Sequence, residues 1–212
     1  MAGRPATEVE ADWTTDRSNY DRCISTGTLQ SITPKIYNSG SRIVQGPGYV
    51  VIMYEMVHEA RVVPLDGRPH VSQKIRAYEG DSRGHFEGDT LVVEVIANDD
   101  RTWFDRAGNY HSDALHLTER FTLKSPDVIW YEVTIEDPNV YTRPWKIAMP
   151  LYRRLEANAQ LIEYRCIDFA EEFMYGNLRK NQLVKHWESD TLIVDIKRKV
   201  PPGAKLHEWY RR

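Results

Sequence analysis

Cysteine is nearly absent from this chain of 212 residues: only Cys23 and Cys166 occur, far too distant in sequence for a CxxC redox or metal motif. They are either two unrelated thiols or a long-range disulfide, and with no export signal in view the free thiols are the expected state. Basic residues are not in excess, since 28 Lys and Arg stand against 31 Asp and Glu for a formal net charge of -3, so no nucleic acid is expected as the main partner. Residues 1–16 contain no continuous apolar stretch, which leaves no secretory h-region and no membrane span there. The expected location is cytoplasmic for the sequence as it stands, and periplasmic or secreted if a signal peptide has been removed. A Walker-type loop, a GxGxxG turn, a GxSxG elbow and an HExxH helix are all missing, so no nucleotide, flavin or nicotinamide cofactor is expected.

What is present is the composition of an ordinary globular protein, 41% hydrophobic and 28% charged. One domain over residues 1–212 is the natural division, with residues 1–22 as an N-terminal extension and 200–212 as a C-terminal tail. Helical periodicity is scarce, while short β-branched and aromatic runs between turn residues recur, so the fold class is all-β and mainly antiparallel, a meander or single barrel. Residues 41–45 and 49–57 flank Gly46-Pro47-Gly48 as a hairpin, and residues 60–65 form the next strand, ended by Asp66-Gly67-Arg68-Pro69. A second hairpin joins residues 115–123 to 128–135 through Lys124-Ser125-Pro126-Asp127. Residues 145–155 and 160–166 read as two more strands, and one short helix is expected near 167–178, where Phe169 and Phe173 share a helical face. Residues 85–95 are echoed by residues 186–196, each an acidic turn between an aromatic-bearing strand and an apolar one. Convergent hairpins and a true duplication both account for the echo, and two copies do not make a repeat fold.

Several landmarks resemble a large group of bacterial proteins of uncharacterised function: Ile43-Val44-Gln45-Gly46-Pro47-Gly48, Tyr54-Glu55, Leu65-Asp66-Gly67-Arg68-Pro69-His70, Gly88-Asp89-Thr90-Leu91-Val92-Val93, Leu115 through Glu119-Arg120-Phe121, Asp137-Pro138, Pro144-Trp145 and Glu163-Tyr164-Arg165-Cys166. The resemblance covers about residues 23–180. It implies a calycin/lipocalin-like β-barrel and carries no catalytic assignment.

Chemistry is sought where polar residues interrupt apolar faces. In the strand at 115–123, Leu115, Leu117, Glu119, Phe121 and Leu123 share one side, and His116, Thr118, Arg120 and Thr122 the other. A carboxylate on an apolar face is either paired, with an Arg or Tyr hydroxyl, or shifted in pKa, and the second state makes Glu119 a candidate acid or base. Glu55 raises the same question, with Tyr54 and His58 on the opposite face able to line a cavity. The preceding loop carries Trp103, Phe104, Asp105, Tyr110, His111 and Asp113, and loops at a barrel mouth commonly hold binding and catalytic groups. Asp113 is placed to orient His111, which moves protons near neutral pH. His111 and His116 can share a metal only if His111 lies outside the strand, and no further ligand stands nearby, so no metal is expected.

The expected function is therefore a cofactor-independent enzyme of lyase, isomerase or cyclase type, working by acid/base chemistry on a small hydrophobic or aromatic molecule. His111, Asp113, His116 and Glu119 are the catalytic candidates, and Tyr54, Glu55, His58, Trp103, Phe104 and Tyr131 the substrate-binding ones. One alternative is a non-catalytic carrier of a hydrophobic ligand. Another is an oligomeric interaction protein that docks through residues 205–212.

Overall fold

The computed structural model describes residues 19, 20, 22–35, 37–105 and 109–167. Among them eight strands run in chain order: β1 (Ser41–Gly46), β2 (Tyr49–Tyr54), β3 (Ala60–Pro64), β4 (Asp81–Glu87), β5 (Thr90–Ile96), β6 (His116–Ser125), β7 (Val128–Glu136) and β8 (Trp145–Tyr152). Every neighbouring pair is antiparallel. The ladders form a three-stranded sheet β1-β2-β3 and a five-stranded sheet β4-β5-β6-β7-β8, so the strands follow one another as a meander in two sheets. One short helix, α1 (Thr28–Ile32), precedes them.

The turns fall where glycine and proline demand. Gly48 and Gly88 take positive φ of 78° and 58° between β1 and β2 and between β4 and β5, a region open to glycine at no steric cost. Pro126 and Asp127 connect β6 to β7 after a register shift between Leu123 and Ser125. β2 stops at Tyr54 instead of continuing to residue 57, because Val57 and His58 adopt positive φ (62° and 52°) beside a 3-10 turn at Met56–His58. β8 likewise ends at Tyr152, its last residue paired with β7.

The core lies between the sheets. Val50, Ile52 and Tyr54 of β2 and Val63 of β3 meet Val93 and Val95 of β5, Leu117 and Phe121 of β6, and Val133 and Ile135 of β7. Each fully buried side chain of this kind stabilises by roughly 1.5–3 kcal/mol relative to leaving it in water. Leu29 and Ile32 bring α1 into the same cluster.

Two expectations are corrected. Residues 160–166 form no strand; their backbone is bonded by side chains, as Ile162 N donates to Glu55 Oε2 at 3.1 Å. Cys23 and Cys166 are not free thiols but a disulfide, with Cα atoms 5.6 Å apart. The helix expected at 167–178, the second copy of the echo at 186–196, and the docking tail at 205–212 lie outside the described residues, save Ile167. No helix among the described residues is long and apolar enough to cross a membrane.

Candidate functional site

The loop from β5 to β6 and the segment that runs into the start of α1 enclose a small cleft. It is lined by Thr26, Gly27, Thr28 and Leu29 on one side, by Thr102, Trp103, Phe104 and His111 on another, and by Asn98, Leu115 and Leu117 from the ends of β5 and β6. Its volume of about 10 Å³ is room for roughly one water molecule. The loop is drawn together by Phe104 N donating to Asn109 O at 2.8 Å, and Phe104 holds its ring 5.2 Å from that of His111.

His111 is the polar centre of this cleft and only 4% exposed. Its Nδ1 lies 2.9 Å from the Ser112 carbonyl oxygen; a carbonyl can only accept, so Nδ1 carries the proton. Nε2 is then the basic nitrogen, and the Thr102 hydroxyl donates to it at 2.7 Å. Burial holds the imidazole below its ordinary value of 6.5, against the opposing pull of the Ser112 bond and the Asp137 charge, so His111 is neutral at neutral pH. Ser112 is itself fixed from behind, since its N–H and hydroxyl both donate to the Asp137 carboxylate, at 2.6 and 2.8 Å. The Thr102 hydroxyl has a second acceptor in reach, the Asp99 carbonyl at 3.2 Å. One hydroxyl proton thus has two destinations, and the state of His111 selects between them.

Glu119 stands elsewhere in the core. It is 0% exposed and takes both Nη atoms of Arg61, at 2.5 and 3.1 Å, together with the Tyr131 hydroxyl at 2.9 Å. This is a fully desolvated, bidentate ion pair between β3 and β6, the geometry in which guanidinium and carboxylate compensate each other best. Burial raises the hydroxyls of Tyr54 and Tyr131 above their ordinary range. Glu79, bonded by Ser25 at 2.7 Å and Ser31 at 3.1 Å, is also pushed up by burial, which outweighs the Arg61 charge.

The remaining candidates disperse. Asp113 does not meet His111; it pairs with Arg76, and the group against His111 Nδ1 is the Ser112 carbonyl. His116 lies on the outer face of β6, 3.3 Å from Glu136. Glu55 is buried beyond the end of β2, and His58 holds Tyr164 O at 2.6 Å. Among the described residues no group of three or more His, Cys, Asp or Glu is arranged to hold a metal ion. The fold thus brings His111, Trp103 and Phe104 together, and separately Glu119, Tyr131 and Tyr54.

Sequence reasoning passed over Arg61, Thr102 and the Thr26–Leu29 wall. Arg61 had a signal: on its strand it alternates with Val63, the same charged interruption of an apolar face that singled out Glu119. Thr102 and the wall had none, because they reach the cleft through loop geometry. No protein family, curated protein or solved structure matches the chain.

Proposed function

We propose that the protein is a cofactor-independent enzyme that performs acid/base chemistry on a small apolar or aromatic molecule, with His111 as its base. One observation carries this reading: in the cleft, His111 is a neutral imidazole whose tautomer is set by Ser112 and whose Nε2 faces a hydroxyl at 2.7 Å. A base so oriented, which burial keeps in its neutral form at pH 7, is available to accept a proton. Thr102 serves as the movable neighbour. The hydroxyl relays the proton: it passes its own proton to Nε2 as its oxygen takes one from the substrate, and it then turns to the Asp99 carbonyl. Leu29, Phe104, Leu115 and Leu117 bind by shape and exclude water, which strengthens the electrostatics of the transfer. A molecule larger than water enters by parting the Trp103 side from the Thr26–Leu29 wall. Glu119 belongs to the ion pair with Arg61 and takes no proton in this scheme. In the same reading calycin-like sheets serve as the scaffold behind the cleft, which they reach through Leu117 of β6, and the Cys23–Cys166 disulfide is in keeping with an oxidising compartment.

The test is proton exchange. The purified protein is incubated in D2O with a panel of small aromatic ketones, and loss of the α-proton signal is followed by NMR. The wild type is expected to accelerate exchange of at least one, and His111→Gln to slow it by about 10²- to 10⁴-fold. Ligands that shift the Trp103 and Phe104 resonances without exchanging would leave a carrier, and a panel that neither binds nor exchanges sinks both readings.

A further inference from the structure

An antiparallel sheet with one face on the core normally turns a polar face to water. The five-stranded sheet does so: across β6 and β7 its outer face pairs His116 with Glu136, Thr118 with Thr134 and Arg120 with Glu132. The three-stranded sheet does not. Its inner face is Val50, Ile52 and Tyr54 with their neighbours, and its outer face is apolar as well. Three rows cross that outer face in register: Arg42–Met53–Ala60, Val44–Val51–Val62 and Gly46–Tyr49–Pro64. Among the described residues Arg42 is its one charge. Val62 is 56% exposed and Val44 44%, and Tyr49 and Met53 stand beside them in water. This is a patch on the order of 300 Å², a size that on a monomer is often functional.

We propose that this face packs against the same face of a second copy of the chain, sheet on sheet. Pairing through the edge of β1, which no strand among the described residues covers, would lengthen the sheet and leave the face wet, so face-to-face packing, at about 10 Å between sheets, is what removes it from water. The rows are complementary to themselves. A two-fold axis along the valine row sets Val44, Val51 and Val62 on their own copies. It lays the Met53 thioether over the partner's Tyr49, a favourable sulfur–aromatic contact. It also carries Arg42 to the partner's Gly46, whose missing side chain is replaced by the Tyr49 ring: a Cβ built on Gly46 would lie 2.6 Å from Tyr49 Cζ. The guanidinium thereby meets an aromatic face. The one charge on the surface finds a partner, and the two Arg42 side chains stay apart.

Sedimentation of the full chain from micromolar to millimolar concentration tests this. The wild type is expected to dimerise. Val62→Lys sets two ammonium groups opposite each other on the axis, and because like charges so placed cost several kcal/mol, the dimer should weaken by roughly 100-fold or more. Near-UV circular dichroism should be unchanged, since Val62 is largely in water. Val44→Lys, at the other end of the row, serves if Val62→Lys does not fold. Thr118→Lys, on the outer face of the other sheet, should leave the dimer intact. A wild type that stays monomeric throughout, or a dimer that survives both valine substitutions or is broken by Thr118→Lys alone, overturns the proposal.

Discussion

At His111 and Glu79 the same cause, burial, bends the pH dependence of stability in opposite directions. The folded imidazole sits below its ordinary 6.5, so as pH falls through that value the unfolded chain binds the proton first. The contribution of His111 is therefore intact above 6.5 and is lost as the solution becomes more acidic. The folded Glu79 carboxyl sits above its ordinary 4.5, so as pH rises through 4.5 the unfolded chain releases its proton first. That contribution is intact below 4.5 and is lost as pH climbs through the folded value. Each unit of displacement corresponds to about 1.4 kcal/mol. Urea unfolding across pH 4 to 8 should show that His111→Asn flattens the decline on the acid side of 6.5 and Glu79→Gln the decline above 4.5. An acid-side decline that persists unchanged in His111→Asn would mean that other groups carry it. The outcome bears on the cleft as well, because the Thr102 hydroxyl is free to turn to Asp99 only when Nε2 holds a proton.

At the scale of elements, what could be read from the sequence was whatever local chemistry specifies. The β1–β2, β4–β5 and β6–β7 hairpins were legible because a turn residue and a period of two act within ten or so positions. Glu119 was legible as an anomaly for the same reason, while its partner Arg61 is 58 residues away and its recognition needed the two sheets to meet. Residues 160–166 misled because strand-forming residue types specify a preference, not a ladder partner. Glu55 and His58 supplied the bonds that a neighbouring strand would have given. The division into two sheets was equally invisible, since it depends on how β3 meets β4. Gly84 sits at that junction: a Cβ there would lie 2.7 Å from Val63 Cγ1 and 3.0 Å from Leu65 Cδ2. Gly84→Ala should thus cost about 1–3 kcal/mol by overpacking, although alanine is otherwise better tolerated in a strand than glycine. Equilibrium unfolding measures it, and a variant as stable as the wild type would show that β3 and β4 can part without loss.

At the scale of the whole molecule, the disulfide joins the segment before α1 to the chain beyond β8, closing a loop with a sequence separation of 143 that contains both sheets. No local pattern could reveal it, because the two cysteines meet only once every intervening element is in place. Cys23 lies three residues ahead of the Thr26–Leu29 wall of the cleft, and Cys166 two residues beyond Tyr164, the residue held by His58. The bond therefore ties the ends of the described chain to the cleft and to the three-stranded sheet. A cross-link over so long a loop stabilises mainly by restricting the unfolded chain, so its loss should cost about 2–5 kcal/mol. Cys23→Ser, Cys166→Ser and the double variant should lose the same amount within error, since each removes one and the same constraint. Far-UV circular dichroism should stay that of the native β fold, because both sheets close through their own ladders. Thiol alkylation under denaturing conditions provides the chemical check: the untreated protein should take up no label at either cysteine, and the reduced protein should take up label at both. Costs that differ between the two single variants would place the stability in the individual side chains, and labelling of the untreated protein would remove the cross-link altogether, along with the oxidising compartment inferred from it.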